Sequence, residues 1–332
     1  MRKNYKKFIT YKEQVHKLKN EYGLEIKDEK KAEELISTIS YYDLINGYKS
    51  KFMVENKFIS SCSLDLLFYL SMYDRSIQSV FIKYIIITEN LYKTRLAYSI
   101  SNCIGDHESK YLDKNNYLDD KFSKDGNLID NLNYLLENTK DNPTYFYKLK
   151  SSEDGRNIPP WILFKNIYFS DAINLSRLLN KDAKTDFYEH IIKDMEYKEK
   201  TNFIITSINL LRKFRNVMAH NLKAIEYKNN KKVSGETMIN YYDDPIILSW
   251  NDIKSHNRGL NDLYSVILII IIYLDSNDLR LLFLNDLLNV FFDNNTNKIY
   301  ENESLFEHYI KFTNLPNNLE NRLKKLYNKY TS

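Results

Sequence analysis

The chain is 332 residues long, with 48 Lys and Arg against 44 Asp and Glu, a formal net charge of +4, and only 7 Gly, 5 Pro and 2 Cys. That length is enough for one large domain or two closely packed ones. The scarcity of Gly and Pro excludes a turn-rich all-β fold and a glycine-rich dinucleotide loop, two cysteines exclude a disulfide framework or thiolate metal cluster, and the mild positive bias permits a nucleic-acid partner without requiring one.

Helix signals follow one another along the chain. Thr10-Tyr11-Lys12-Glu13 has the spacing of a capping box, and Gly23 closes the helix it opens. Asp28 caps a second helix, with Ala32, Leu35, Ile36 and Ile39 on one face. Gly47 ends a short third. Ser63 caps a long helix through Leu67, Leu70, Ile77, Val80, Phe81, Tyr84, Ile87 and Leu91 to Ile100, and Gly105 is its stop. Residues 106–125 are polar and predict irregular chain, whereas 128–138 predict a helix. Pro159-Pro160-Trp161 opens another, because a first-turn N–H needs no partner inside the helix.

Residues 186–195 and 200–222 are again helical. Alternation over 225–244, an Asn229-Asn230 turn and Gly235 predict a small β-hairpin or ordered loop. From 260 onward helices resume. The apolar run 264–274 falls short of the ~20 residues needed to cross a bilayer and predicts a buried core helix. The basic opening, Met1-Arg2-Lys3-Asn4-Tyr5-Lys6-Lys7, leads into no long apolar stretch and does not read as a signal peptide; with the cysteine usage it predicts a cytoplasmic protein away from membranes. Cys62 and Cys103 are expected in helices and Trp161 and Trp250 as core anchors. The expected fold is all-α: an N-terminal helical region (1–60), a helical core (61–225) containing the helix 200–222, a hairpin or loop insertion (226–257), and C-terminal helices (258–332) packed on the core.

The helix 200–222 carries the chemistry. On a wheel of about 100° per residue, Leu210, Leu211, Phe214, Val217, Met218 and Ile225 form the core face, and Arg215 and His220 flank the polar arc with Asn216. Arg is a permanent cation that grips phosphate with two prongs, and His can take and return a proton near neutral pH. Ala219 leaves room for Arg215 to lean toward His220 and for a second helix to approach. Two copies facing each other would line a cleft with two Arg and two His. That cleft suits RNA cleavage by attack of the 2′-OH: His220 as base or acid, Arg215 on the phosphorane oxygens, Asn216 orienting the His or the phosphate. His16, His107, His190, His256 and His308 form no constellation with Cys or carboxylates, so no metal and no cofactor are expected.

The R-x-x-x-x-H helix resembles that of the HEPN superfamily of ribonucleases, and the remainder resembles the Abi-like (AbiD/AbiF) abortive-infection proteins within it. The likeness rests on ordered motifs: Phe8-Ile9-Thr10-Tyr11-Lys12-Glu13, Gly23-Leu24-Glu25-Ile26, Tyr41-Tyr42 with Gly47-Tyr48, Tyr73-Asp74-Arg75, the stretch from Glu89-Asn90-Leu91-Tyr92 to Arg95, Pro160-Trp161, Leu175-Ser176-Arg177-Leu178, and Arg215-Asn216 with Ala219-His220. Asn221 stands where many members have a second His, and Met218 where Cys is frequent. The resemblance implies a HEPN-type helical bundle, a metal-independent endoribonuclease active as a homodimer in anti-phage defence, and a structured noncoding RNA as a further partner. A non-catalytic protein that only holds such an RNA, or a module whose motif helix merely dimerises, are the alternatives.

Supporting residues carry two readings each. Glu89 and Arg95 on the long helix either orient the motif His, as the resemblance implies, or form a surface ion pair. Lys3, Lys6, Lys7 and Lys12, interleaved with Tyr5, Phe8 and Tyr11, either contact RNA or form a solvated tail. Arg322, Lys324, Lys325 and Lys329 lie on an amphipathic C-terminal helix that either contacts RNA or docks on the core.

Overall fold

A computed structural model describes residues 7–118, 128–137, 157–220, 223–300 and 302–331. The capping box at Thr10 opens α1 (Tyr11–His16), which continues as a π turn, and Asp28 caps α2 (Glu29–Ile39) by accepting from the amides of Lys30 and Lys31. A π turn at Tyr42–Asn46 follows, then a two-residue hairpin of β1 (Met53–Val54) and β2 (Lys57–Phe58). Its turn residues, Glu55 and Asn56, both have positive φ, the geometry of the tight turn that matches strand twist.

Ser63 caps α3 (Leu64–Cys103), 40 residues and about 60 Å long. Short α4 (Glu108–Tyr111), α5 (Leu128–Glu137) and α6 (Pro160–Leu163) precede α7 (Phe169–Leu178), α8 (Lys181–Ile191) and α9 (Tyr197–Ala219). After them come α10 (Gly235–Tyr242), α11 (Trp250–Lys254), α12 (Leu263–Tyr273) and α13 (Asn277–Phe292). A second tiny hairpin, β3 (Ile299–Tyr300) with β4 (Glu303–Ser304), leads to α14 (Leu305–Ile310) and α15 (Leu319–Thr331).

The fold is all-α, and α3 is its axis. Helices α6, α7, α8, α9, α12, α13 and α14 all pack on it. Its core face runs the whole length of the helix: Leu67, Leu70, Ile77, Phe81, Tyr84, Ile85, Tyr92, Leu96 and Ile100 recur at helical spacing and are at most 1% exposed. Every residue of α12 is buried, as its apolar run predicts. Asp262 caps it from inside the core, accepting from Ser265 N–H, Gly259 N–H and the Asn314 side chain. No described helix is long and apolar enough to cross a membrane.

Three expectations are corrected. Of the hairpin or ordered loop expected within 226–257, the loop is found up to Ser234 and the hairpin is not: α10 and α11 follow, because Ser234 caps α10 by accepting from Thr237 N–H; the hairpins lie at 53–58 and 299–304. Trp161 and Trp250 are each 48% exposed and anchor no core; Lys254 sits over the Trp250 ring. Cys62, expected in a helix, is buried in the loop before α3; Cys103 lies in a helix as expected, at the exposed last turn of α3.

Candidate functional site

Helix α9 packs on α3 and α12 through Phe203, Ile204, Ser207, Leu210, Leu211, Phe214 and Met218, all buried. Ser207 Oγ lies 2.9 Å from Tyr273 Oη of α12, which fixes the rotation of α9 about its axis. That rotation aims Arg215 at α3. Its Nη2 pairs with Glu89 Oε2 at 3.2 Å, and its Nη1 donates to Asn216 Oδ1 at 3.1 Å. The other Glu89 oxygen takes Lys93 Nζ at 2.7 Å, one helical turn further along α3. Glu89 and Lys93 side chains are 8% and 9% exposed, Arg215 34%. A single carboxylate thus sits between two cations, which leaves one positive charge over, with Arg215 on the solvent side.

Helix α9 ends at Ala219, and His220 is its C-cap; the His220 N–H still bonds Asn216 O, while the side chain is exposed. Among the described residues the imidazole has no hydrogen-bond or ion-pair partner. Glu89 and Asn216 therefore both grip Arg215, and neither orients His220. Arg215, Asn216 and Glu89 are brought together at the α3–α9 contact, and His220 stands at the α9 terminus, five residues after Arg215.

Arg95 is not part of this group. Six residues beyond Glu89, it points to another face of α3, donating to Ile191 O at 2.9 Å and pairing with Asp275, which also takes Lys193 at 3.3 Å. It ties α3 to the ends of α8 and α12. Arg322 is a docking residue too. Its guanidinium makes two 3.0 Å bonds to the carboxylate of Asp252, a third to Ile247 O and lies over the Tyr264 ring, all with 7% of the residue exposed. Lys324 pairs with Glu320 at 2.6 Å and Lys325 with Asp244 at 3.6 Å, both at the surface. The C-terminal helix therefore packs on the body through Leu319, Leu323, Leu326 and Arg322, with Lys324 and Lys325 left at the surface. Lys7 and Lys12 are exposed at the start of α1; Lys3 and Lys6 lie outside the described residues.

Two features escaped the sequence reading. Lys93 is the second partner of Glu89, a Glu-to-Lys spacing of four on one helix face that was there to be read. Asp74 occupies a core phase of α3, in step with Leu67, Leu70, Ile77 and Phe81, and is 0% exposed. Tyr48 and Gln78 donate to its Oδ2 at 3.0 and 2.8 Å, and Tyr309 donates to its Oδ1 at 3.0 Å. Burial pushes its carboxyl up to about 6; the three hydrogen bonds and Arg75 oppose the rise.

Through this network the Tyr-Tyr…Gly-Tyr stretch, the Tyr-Asp-Arg stretch and α14 meet. A Cβ on Gly47 would fall 2.2 Å from Asp43 O, so the turn that delivers Tyr48 to Asp74 accepts only glycine. Beside the network opens a cleft of about 440 Å³, lined by Tyr42, Asn46, Arg75 and, from the other side, by Val217, Lys223 and Tyr227, which bracket the motif His in sequence.

A family model described as Abi-like protein matches residues 34–226, more than half of the chain, from the middle of α2 to beyond α9. Neither the search of curated proteins nor that of solved structures found a match. The matched span holds Glu89, Arg215, His220 and the lining of the cleft except Tyr227, and on its strength the chain belongs to the Abi-like protein family.

Proposed function

We propose that the protein is a metal-independent endoribonuclease of the HEPN type that acts in abortive infection, with Arg215 and His220 as its catalytic pair. The observation that carries the proposal is the arrangement at the end of α9: a guanidinium held at the surface by Glu89 and Asn216, and a solvent-facing imidazole five residues later. Family membership supports the abortive-infection role. In the proposed reaction the ribose 2′-OH gives its proton to His220 and attacks the adjacent phosphorus. Arg215 stabilises the charge that develops on the non-bridging oxygens. A second imidazole protonates the departing 5′-oxygen, leaving a 2′,3′-cyclic phosphate and a 5′-hydroxyl.

A single chain presents one imidazole at this site, so the division between base and acid calls for a second copy. The exposed Ala219 and His220 at the α9 terminus are where two copies would meet. The Arg215–Glu89 pair favours a second reading, in which Arg215 is a structural cation and the protein holds a structured RNA without cutting it. The two separate on one variant. His220→Ala should abolish cleavage of RNA by the purified protein, leave its circular dichroism spectrum and sedimentation unchanged, and still bind RNA. Undiminished cleavage by that variant removes His220 from the mechanism.

A further inference from the structure

We infer that the cleft lined by the Tyr42–Asn46 turn, the Ser71–Gln78 stretch of α3, Val217, Lys223 and Tyr227 binds a ribonucleoside phosphate, as one nucleotide of a single-stranded RNA or as a free nucleotide. The inference rests on the reading that this protein handles RNA, and assigns where it is held beside the motif.

At about 440 Å³ the cleft is the size of a small-ligand site. Its most telling wall is Arg75. The residue is half-buried, yet its guanidinium makes no hydrogen bond and no ion pair with any described residue, its neighbour Asp74 being occupied by Tyr48, Gln78 and Tyr309. Five N–H donors on a partly desolvated cation are thus open to an anion, and a phosphate matches their fork geometry. Lys223 lies across the cleft, paired with Glu226.

Tyr42 stands at the mouth with 74% of its surface exposed, a large apolar ring that covers nothing in the fold. Four residues on, and so on the same face of the turn, the Asn46 carboxamide is half-buried and makes no side-chain hydrogen bond to a described residue. An aromatic face with an open amide beside it is what stacking a base and reading its edge require. Asp43, whose carboxylate takes the Ser40 hydroxyl at 3.0 Å, also lines the cleft and can accept a ribose hydroxyl. Phosphate, sugar and base each meet a group suited to them. Val217 and Lys223, three residues either side of His220 in sequence, both line the cleft.

The test uses the full chain in a His220→Ala background, so that RNA survives the measurement. Binding of a fluorescein-labelled single-stranded RNA oligonucleotide is followed by anisotropy, and binding of adenosine 5′-monophosphate by titration calorimetry. Arg75→Ala and Tyr42→Ala remove side chains that make no hydrogen bond or ion pair with a described residue, and since the Arg75 charge still acts on buried Asp74, unchanged thermal unfolding is required of each variant. Each should weaken binding by about tenfold or more, the scale of a lost stacking partner or phosphate clamp. Weakened RNA binding with no binding of the monophosphate identifies an RNA subsite; monophosphate binding lost in both variants identifies a free nucleotide. Wild-type affinity for RNA and monophosphate in either variant overturns the proposal, as does a parent protein that binds neither. The catalytic reading fails separately: a protein with His220 intact that binds RNA through this cleft and cuts none keeps the cleft and loses the endoribonuclease, while cleavage with binding insensitive to Arg75 and Tyr42 does the reverse.

Discussion

Replacing Glu89 with glutamine takes away the carboxylate that Arg215 and Lys93 share, at 3.2 and 2.7 Å. The carboxamide has nearly the same shape, but its oxygen can accept from one cation only and its NH₂ faces the other. Lys93, 9% exposed, is left as a buried ammonium without its counter-charge. Breaking a buried pair from one side costs about 3–5 kcal/mol. The 34% exposure of Arg215 lets water screen its share, and Asp171, which feels the field of Lys93, offsets part of the loss. The expected destabilisation is therefore about 3 kcal/mol, or roughly a 1 M drop in urea midpoint for a slope of about 3 kcal/mol/M. Urea unfolding followed by circular dichroism measures it. Adding Lys93→Met should recover most of the loss, since an apolar side chain there needs no partner. Cleavage should stay down about tenfold to a hundredfold in the double variant, because Arg215 has lost its anchor while the core has been repaired. An unchanged midpoint at unchanged slope in Glu89→Gln, or full cleavage in the double variant, would refute the reasoning.

Other outcomes are expected from the same structure. Asp74 has its carboxyl raised from 3.8 to about 6, so its protonated form is favoured in the fold; the stability this contributes is full below about 3.8 and is lost as pH rises through about 6. The stability difference between the wild type and Asp74→Asn, which cannot titrate, should shift against the wild type by about 2 kcal/mol between pH 4 and pH 7, and a flat difference would mean the carboxyl is not raised. Arg322→Ala leaves Asp252 with Arg258 alone at 3.0 Å and should cost about 3 kcal/mol in thermal unfolding while leaving RNA affinity unchanged; lost affinity in a stably folded variant would return Arg322 to the RNA-binding surface. Cleavage should persist in excess EDTA, and activity that EDTA removes and a divalent cation restores would overturn the metal-independent mechanism.

What the sequence determined by itself is what local physics decides. The caps at Thr10, Asp28 and Ser63, the unbroken periodicity of α3 and the apolar run of α12 are short-range signals, and each formed the element it predicts. The Arg215–His220 spacing and the ordered motifs around it were legible for the same reason. The stretch at 225–244 misled because weak alternation over a few residues competes with a serine cap, and the cap won. Partners were another matter, because they depend on how α3 is rotated against seven helices. Only the tertiary structure put Glu89 on Arg215 rather than on His220, sent Arg95 to Asp275 and Arg322 to Asp252, and left Trp161 and Trp250 half in solvent. Only it could bring Tyr48, Asp74 and Tyr309 together across 261 positions of chain, since a buried carboxylate takes its hydrogen bonds from whichever donors the packing delivers, at any separation in sequence.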